Sequence, residues 1–116
     1  MSSRWTIARN LLQALVAEAV KNPVTSLTDS ENAKRITIDS PLSGFTFEAR
    51  TSSLLNDSVM IEFEAERSYL FGLFYRSIYT ILETSRDGTT EKNPIYSRFE
   101  SSAARRRRRA WLQDDT

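Results

Sequence analysis

The segment SVMIEFEAE, residues 58–66, alternates between apolar and polar side chains, with Met60 as the one apolar residue at a polar position. A two-residue period is typical of a β-strand whose side chains point alternately to the two faces of a sheet. One face of this strand is apolar, and the other carries Glu62, Glu64 and Glu66. The chain must therefore cover the apolar face with another element, whereas an antiparallel sheet can leave its polar face in water.

Two shorter segments repeat this alternation upstream. They are RITID, residues 35–39, and GFTFEAR, residues 44–50, in which Phe45 and Phe47 alternate with Thr46 and Glu48. The connections between the three segments are short and rich in turn-forming residues. Consecutive strands with such connections predict a three-stranded antiparallel meander.

Three further segments predict helices. Residues 4–21 place apolar side chains three and four positions apart, and Ser2 or Ser3 can cap them. Residues 67–85, RSYLFGLFYRSIYTILETS, combine a broad apolar arc with a narrow polar stripe at helical spacing. Asn93 followed by Pro94 is typical of a helix N-terminus, which predicts a last helix from residue 94 onward.

These elements predict an α+β fold. A helix is followed by a three-stranded antiparallel meander and by two helices packed on one sheet face, in the order α-β-β-β-α-α. The 116 residues have the length of one domain. We expect residues 1–93 to form a compact body and residues 94–116 to form a C-terminal helix with an arginine-rich extension.

The distribution of charge singles out the C-terminal segment. The formal net charge is only +1, yet Arg105, Arg106, Arg107, Arg108 and Arg109 are consecutive. Five guanidinium groups on one and a half helical turns repel one another unless an anionic surface neutralises them. Because every direction around the helix beyond Ala104 is arginine, we expect that end to project into solvent or onto a partner.

The partner of the arginine block stays open between three classes. Phosphate is the natural ligand of a guanidinium fork, which favours a nucleic-acid backbone, with Trp111 stacked on a base. An acidic protein surface is the second class. A flexible solubilising tail or a localisation signal is the third.

The glutamates on the polar sheet face also have two interpretations. They are either the solvated side of a two-faced sheet or an acidic surface that receives a basic segment, such as the arginine block of a neighbouring copy. Both interpretations disfavour base stacking across the sheet.

The aromatic residues of the 67–85 segment cover more of a helix than one sheet can bury. We interpret them as a protein interface that joins the core, which predicts a homodimer or a subunit of a larger complex. A ligand pocket is the minor alternative. The residues are Tyr69, Phe71, Phe74, Tyr75 and Tyr79.

The residue types argue against catalysis. The chain has no histidine and no cysteine, so the usual general base near neutral pH and the thiolate nucleophile are both missing. We therefore expect neither a catalytic residue, a cofactor nor a metal site. The absence of cysteine fits a reducing compartment, cytoplasmic or, in a eukaryote, nuclear. No apolar run approaches the ~20 residues of a membrane span.

The sequence thus predicts a non-enzymatic binding module. Its C-terminal arginine-rich helix contacts a polyanion, with nucleic-acid backbone as the favoured ligand, while the body self-associates or docks on a protein. The alternative is a protein-only adaptor, chaperone or inhibitor whose arginine block meets an acidic protein surface.

Overall fold

A helix at each end of the chain flanks a run of antiparallel strands. The computed structural model describes residues 3–21, 35–38, 42–53, 59–84, 90–92 and 94–113. The predicted α+β class is confirmed. In chain order the elements are α1 (Arg4–Lys21), β1 (Arg35–Ile38), β2 (Thr46–Ser53), β3 (Val59–Tyr69), β4 (Phe74–Thr84), β5 (Thr90–Lys92), β6 (Tyr96–Ser101) and α2 (Ser102–Gln113).

The described strands form one antiparallel sheet in the order β1-β2-β3-β4-β5, with β6 also paired to β4. The predicted meander is present as β1, β2 and β3, and the sheet continues beyond it. β5 and β6 lie end to end along the outer edge of β4. Their register shifts by one residue between the pairs Leu82–Lys92 and Tyr79–Tyr96. Pro94, which has no N–H group for the ladder, lies in this interval.

α1 covers the apolar face of the sheet, as its periodicity predicts. Ser3 Oγ accepts a hydrogen bond from the Thr6 N–H at 3.1 Å and caps the helix. Leu12 of α1 packs into the same buried cluster as Phe47 and Phe63 of the sheet. The buried members of this core are Ala8, Leu12, Val16, Ala19, Phe45, Phe47, Ala49, Ile61, Phe63, Ala65, Ile78 and Leu82.

The predicted helix at 67–85 is wrong, because this segment forms the end of β3, a tight turn and β4. Both faces of β4 are covered, and a strand of that kind shows no simple alternation of apolar and polar residues. Ile78 and Leu82 are buried in the core beneath α1. Tyr75 and Tyr79 lie on the opposite face, where arginine side chains cover their rings.

The predicted start of the last helix at residue 94 is also wrong. Residues 96–101 form β6, and α2 begins at Ser102. Ser101 supplies the cap, because its Oγ accepts a hydrogen bond from the Ala104 N–H at 3.2 Å. Asn93, the predicted cap, lies outside the described residues. The two helices do not share a sheet face, since α1 packs on the apolar side and α2 contacts the glutamates of the other.

We expect Leu12→Ala to lower the free energy of unfolding by about 2–5 kcal/mol, because Leu12 is fully buried between α1 and the sheet. Urea denaturation followed by circular dichroism measures the change. Gln13→Ala, at an exposed position on the same helix, is the matched control. Equal stabilities for the two variants would contradict the placement of α1.

Candidate functional site

The register of β2 and β3 brings like charges together on the polar sheet face. Glu48 lies directly opposite Glu64, and Arg50 lies opposite Glu62. Two carboxylates directly opposed across strands repel each other and destabilise the sheet. The register is therefore stable only if cations reach these glutamates.

Arg50 and Arg98 supply two of these cations from within the sheet. The guanidinium of Arg50 donates hydrogen bonds to Glu48 at 3.2 Å, to Glu62 at 3.2 Å and to Glu64 at 3.0 Å. Arg98 on β6 reaches Glu64 at 3.3 Å. Glu64 thus receives a bond from each side along the sheet.

α2 supplies three more cations from above the sheet. Positions 105, 108 and 109 follow the i, i+3, i+4 spacing that puts side chains on one helix face. Arg105 binds Glu66 with two parallel hydrogen bonds, each 2.7 Å long. Bidentate pairing of this kind is stronger and more directional than a single bond. The bond to Glu66 raises the pKa of Arg105.

Arg109 lies at the centre of the arrangement. Its Nη2 atom is 3.0 Å from Glu64 and 3.5 Å from both Glu48 and Glu66. The residue is only 7% exposed, and its Nε atom is buried with no hydrogen-bond partner among the described residues. Burial lowers the pKa of Arg109, although the neighbouring carboxylates act in the opposite direction.

Arg108 lies between Glu100 on the edge strand β6 and Glu64 on β3. Its Nε atom donates to Glu100 on β6 at 3.1 Å, and its Nη2 atom lies 3.7 Å from Glu64. Burial disfavours the ionised form of Glu100, but the hydrogen bonds and charge of Arg108 outweigh it and lower the pKa of Glu100. Arg98 and Arg105 add smaller electrostatic contributions in the same direction.

We call this ion-paired set the charged layer. It contains five glutamates and five arginines, so its formal charge is zero. Breaking such a buried network by removing one partner leaves the opposite charges uncompensated. Its members are Glu48, Glu62, Glu64, Glu66, Glu100, Arg50, Arg98, Arg105, Arg108 and Arg109.

Two expectations about these residues are wrong. The glutamate face is not solvated, since Glu48, Glu64 and Glu66 are each at most 5% exposed. The arginine helix does not project beyond Ala104, because it folds back over that face. The acidic surface does receive a basic segment, and the segment belongs to the same chain. The matching signal in the sequence is the i, i+3, i+4 spacing of three arginines against alternate glutamates on a strand.

Arg106 and Arg107 occupy the other side of α2 and are exposed. Neither forms an ion pair with a described residue. The side chain of Trp111 lies outside the described part of the structure. Contact of these residues with a polyanion stays a prediction.

The aromatic residues predicted as one interface are divided between the two sheet faces and the turn. Phe71 is fully exposed in the turn between β3 and β4. Tyr69, half-buried, accepts a hydrogen bond from Trp5 at 3.1 Å. The other three pack within the sheet: Phe74 stacks on Phe99, Tyr75 lies beneath Arg105, and Tyr79 lies against Tyr96 and Arg98.

Comparison of the chain with protein-family models, curated proteins and solved structures gives no match. Among the residues that the structure describes, no group of three or more histidine, cysteine, aspartate or glutamate side chains is arranged to hold a metal ion. In the same part of the chain, neither helix has the length and apolarity that crossing a bilayer requires.

We expect Glu64→Gln to lower the free energy of unfolding by about 3 kcal/mol or more. The substitution removes the charge that faces four arginines at a site only 1% exposed. Chemical denaturation measures the loss. Glu83→Gln on β4 is the control. Glu83 forms no ion pair with a described residue and lies opposite Glu91 in the register, so we expect no loss of stability and a gain of at most about 1 kcal/mol. A small effect of Glu64→Gln would show that the charged layer adds little stability.

We expect acid to weaken the charged layer through Glu100. Its pKa in the folded protein lies below the ordinary value of 4.5. Its stabilising contribution is therefore complete above pH 4.5 and is lost as the pH falls through the lower folded value. The difference in unfolding free energy between the wild type and Glu100→Gln should shrink on going from pH 7 to below pH 4. A difference that is constant with pH would contradict this linkage.

Proposed function

We propose that the protein is a non-enzymatic binding module that contacts a polyanion through the arginines outside the charged layer. One observation carries the proposal. Once the charged layer has neutralised itself, the other described charged side chains are mainly cationic. They are Arg4, Arg9, Arg67, Arg76, Arg106 and Arg107, against Glu18 and Glu83.

Not every arginine of the block is available to the polyanion. Arg105, Arg108 and Arg109 already bind glutamates, and moving them to phosphate would uncover the repulsion between Glu48 and Glu64. The contact from α2 therefore comes from Arg106 and Arg107. Guanidinium groups bind phosphate oxygens in pairs and release condensed counterions, so a nucleic-acid backbone is a suitable ligand. Backbone contact of this kind positions a protein without reading base sequence.

The described carboxyl groups support the non-enzymatic part of the proposal. Acid–base catalysis by two carboxyl groups needs one whose pKa is raised by its surroundings. Glu100 does not meet this requirement, because although burial acts in the opposite direction, Arg108 lowers its pKa. Each glutamate of the charged layer is paired with a guanidinium. A cavity of about 350 Å³ lies beside α1. Arg9 is the one charged residue of its described lining, so no described carboxyl group lines this cavity.

The alternative is a protein-only adaptor, chaperone or inhibitor. It has an observation of its own, because the arginines of α2 already bind carboxylates inside this chain. Arg106 and Arg107 could bind carboxylates of an acidic partner in the same bidentate way. Salt dependence and nucleic-acid retention separate the two candidates, since only the first predicts binding to random nucleic acid.

We expect the full chain to bind random single-stranded nucleic acid with an affinity that falls as salt rises. Replacing Arg106 and Arg107 together by alanine should reduce the steepness of log K against log salt by about 1.4, because two phosphate contacts on a single strand are lost. Fluorescence anisotropy over a series of salt concentrations measures the slope.

Arg9→Ala removes an exposed arginine from α1 and is the control for a general loss of charge. Because it removes at most one phosphate contact, it should reduce the steepness by no more than about 0.7, half of the effect expected for the Arg106/Arg107 variant. Equal slopes for the wild type and the Arg106/Arg107 variant would exclude α2 as the contact. Binding to an acidic peptide without binding to nucleic acid would favour the protein-only alternative.

A further inference from the structure

The turn between β3 and β4 presents a cluster of exposed apolar side chains. We call residues 70–73 the hairpin tip. Leu70 is 63% exposed, Phe71 is 107% exposed and Leu73 is 61% exposed. Phe99, which is 65% exposed, stacks on Phe74 at the start of β4 with ring centroids 5.6 Å apart. Single exposed apolar residues are ordinary, but a contiguous group of this kind marks an interaction surface.

The backbone holds these side chains outward. Leu70 and Phe71 have φ angles of 50° and 56°, a left-handed conformation that residues other than glycine rarely adopt. Hydrogen bonds fix the turn, from the Gly72 N–H to the Tyr69 carbonyl at 3.1 Å and from the Leu73 N–H to the Leu70 carbonyl at 3.2 Å. A strained turn that displays apolar side chains is a feature associated with function rather than with stability.

Arginines surround the base of the hairpin tip. Arg67 and Arg76 lie directly opposite each other, two residues before and after the last paired residues of the two strands. The guanidinium groups of Arg4 and Arg67 lie 5.8 and 5.7 Å from the centre of the Phe45 ring. None of these three arginines has a carboxylate partner among the described residues. The side below the apolar cluster is therefore cationic.

Tryptophan and tyrosine lie at the same level as these arginines. Trp5 donates a hydrogen bond to Tyr69 at 3.1 Å, and the guanidinium of Arg76 lies 4.4 Å from the centre of the Trp5 ring. Tryptophan and tyrosine are enriched where proteins meet the boundary between lipid tails and water. The apolar tip thus corresponds to the lipid tails, and the aromatic pair together with the arginines corresponds to the interfacial headgroup region of a bilayer.

α2 starts beside the same surface. The Ser102 N–H donates to the Leu73 carbonyl at 2.9 Å, which ties the first residue of α2 to the hairpin tip. Glu66 and Glu100, which end the polar rows of their strands, are held by Arg105 and Arg108. Carboxylates of the charged layer therefore add no net negative charge at this end.

We propose that the hairpin tip inserts into the interfacial region of a bilayer that contains anionic lipids, while Arg4, Arg67 and Arg76 contact the headgroup phosphates. This inference rests on the proposed function, because it names an anionic lipid surface as the polyanion. Leucine side chains favour lipid over nucleic acid, since bases stack on aromatic rings and not on aliphatic groups. Attraction between basic residues and anionic lipids adds to the apolar insertion.

Co-sedimentation with vesicles tests the proposal. The full chain should bind vesicles made of equal parts phosphatidylcholine and phosphatidylglycerol. It should bind vesicles of phosphatidylcholine alone more weakly. Phe71→Ser should lower the partition coefficient about tenfold or more, because one aromatic side chain no longer enters the lipid. Phe71→Leu should keep most of the binding.

Tyr96→Ser is the matched control, since Tyr96 is an exposed aromatic residue at the opposite end of β6 from the tip. It should leave the partition coefficient within about twofold of the wild type. Phe71 makes no buried contact that its loss would disturb, so thermal unfolding should show the same midpoint for Phe71→Ser and for the wild type.

Four outcomes overturn the inference. Wild-type vesicle binding by Phe71→Ser would exclude insertion of the tip. Self-association that is lost in Phe71→Ser, without vesicle binding, would assign the tip to a second copy of the chain. Binding to random nucleic acid but not to vesicles would overturn the lipid partner and leave the proposed function standing, whereas binding to neither would overturn both.

Discussion

The ion pairs between Arg109 and the sheet glutamates are the interaction on which the second half of the structure depends. The register of β2 and β3 places their apolar side chains together on the sheet face that α1 covers. The same register sets Glu48 opposite Glu64 on the other face, where the two carboxylates repel each other. Arg109 on α2 and Arg50 on β2 each form ion pairs with both of these glutamates and so neutralise the repulsion. The described side chains of α2 are serine, alanine and arginine, which offer little apolar surface. The described part of α2, residues 102–110, is therefore held mainly by charge, whereas α1 is held by burial of apolar groups.

The hairpin of β3 and β4 contributes to both the apolar core and the charged layer. One face of the hairpin carries Phe63 and Ile78 of the core, and the other carries Glu64 and Glu66 of the charged layer. The hairpin ends in a tight turn that contains no polar residue. The hairpin tip is therefore apolar and exposed, whereas the faces of the adjoining sheet are largely covered. The charged layer also decides which arginines remain for a ligand. Among the described side chains, the arginines outside the layer lie on α1, on the outer side of α2 and around the hairpin tip.

The sequence predicts the first half of this fold well, because each element there has one covered face. α1 begins and ends where its periodicity places it, and β1 to β3 follow the alternating segments. β4 was open to misinterpretation because Ile78 and Tyr79 point to opposite faces and are both covered, which removes the alternation that identifies a strand. β6 was hidden for a related reason. Pro94 resembles the first residue of a helix, and it marks instead the interruption between two strands on one edge.

The sequence by itself determined the α+β class, the apolar face that α1 covers, the glutamate row on β3 and the concentration of arginine near the C-terminus. Those features are local, since they depend on the spacing of residues within one segment. Only the tertiary structure decided that the arginines meet the glutamates of the same chain, that Arg106 and Arg107 stay outside, and that Phe71 lies at an exposed turn. These outcomes depend on strand register and on the direction in which α2 leaves β6, and residue spacing within a single segment specifies neither.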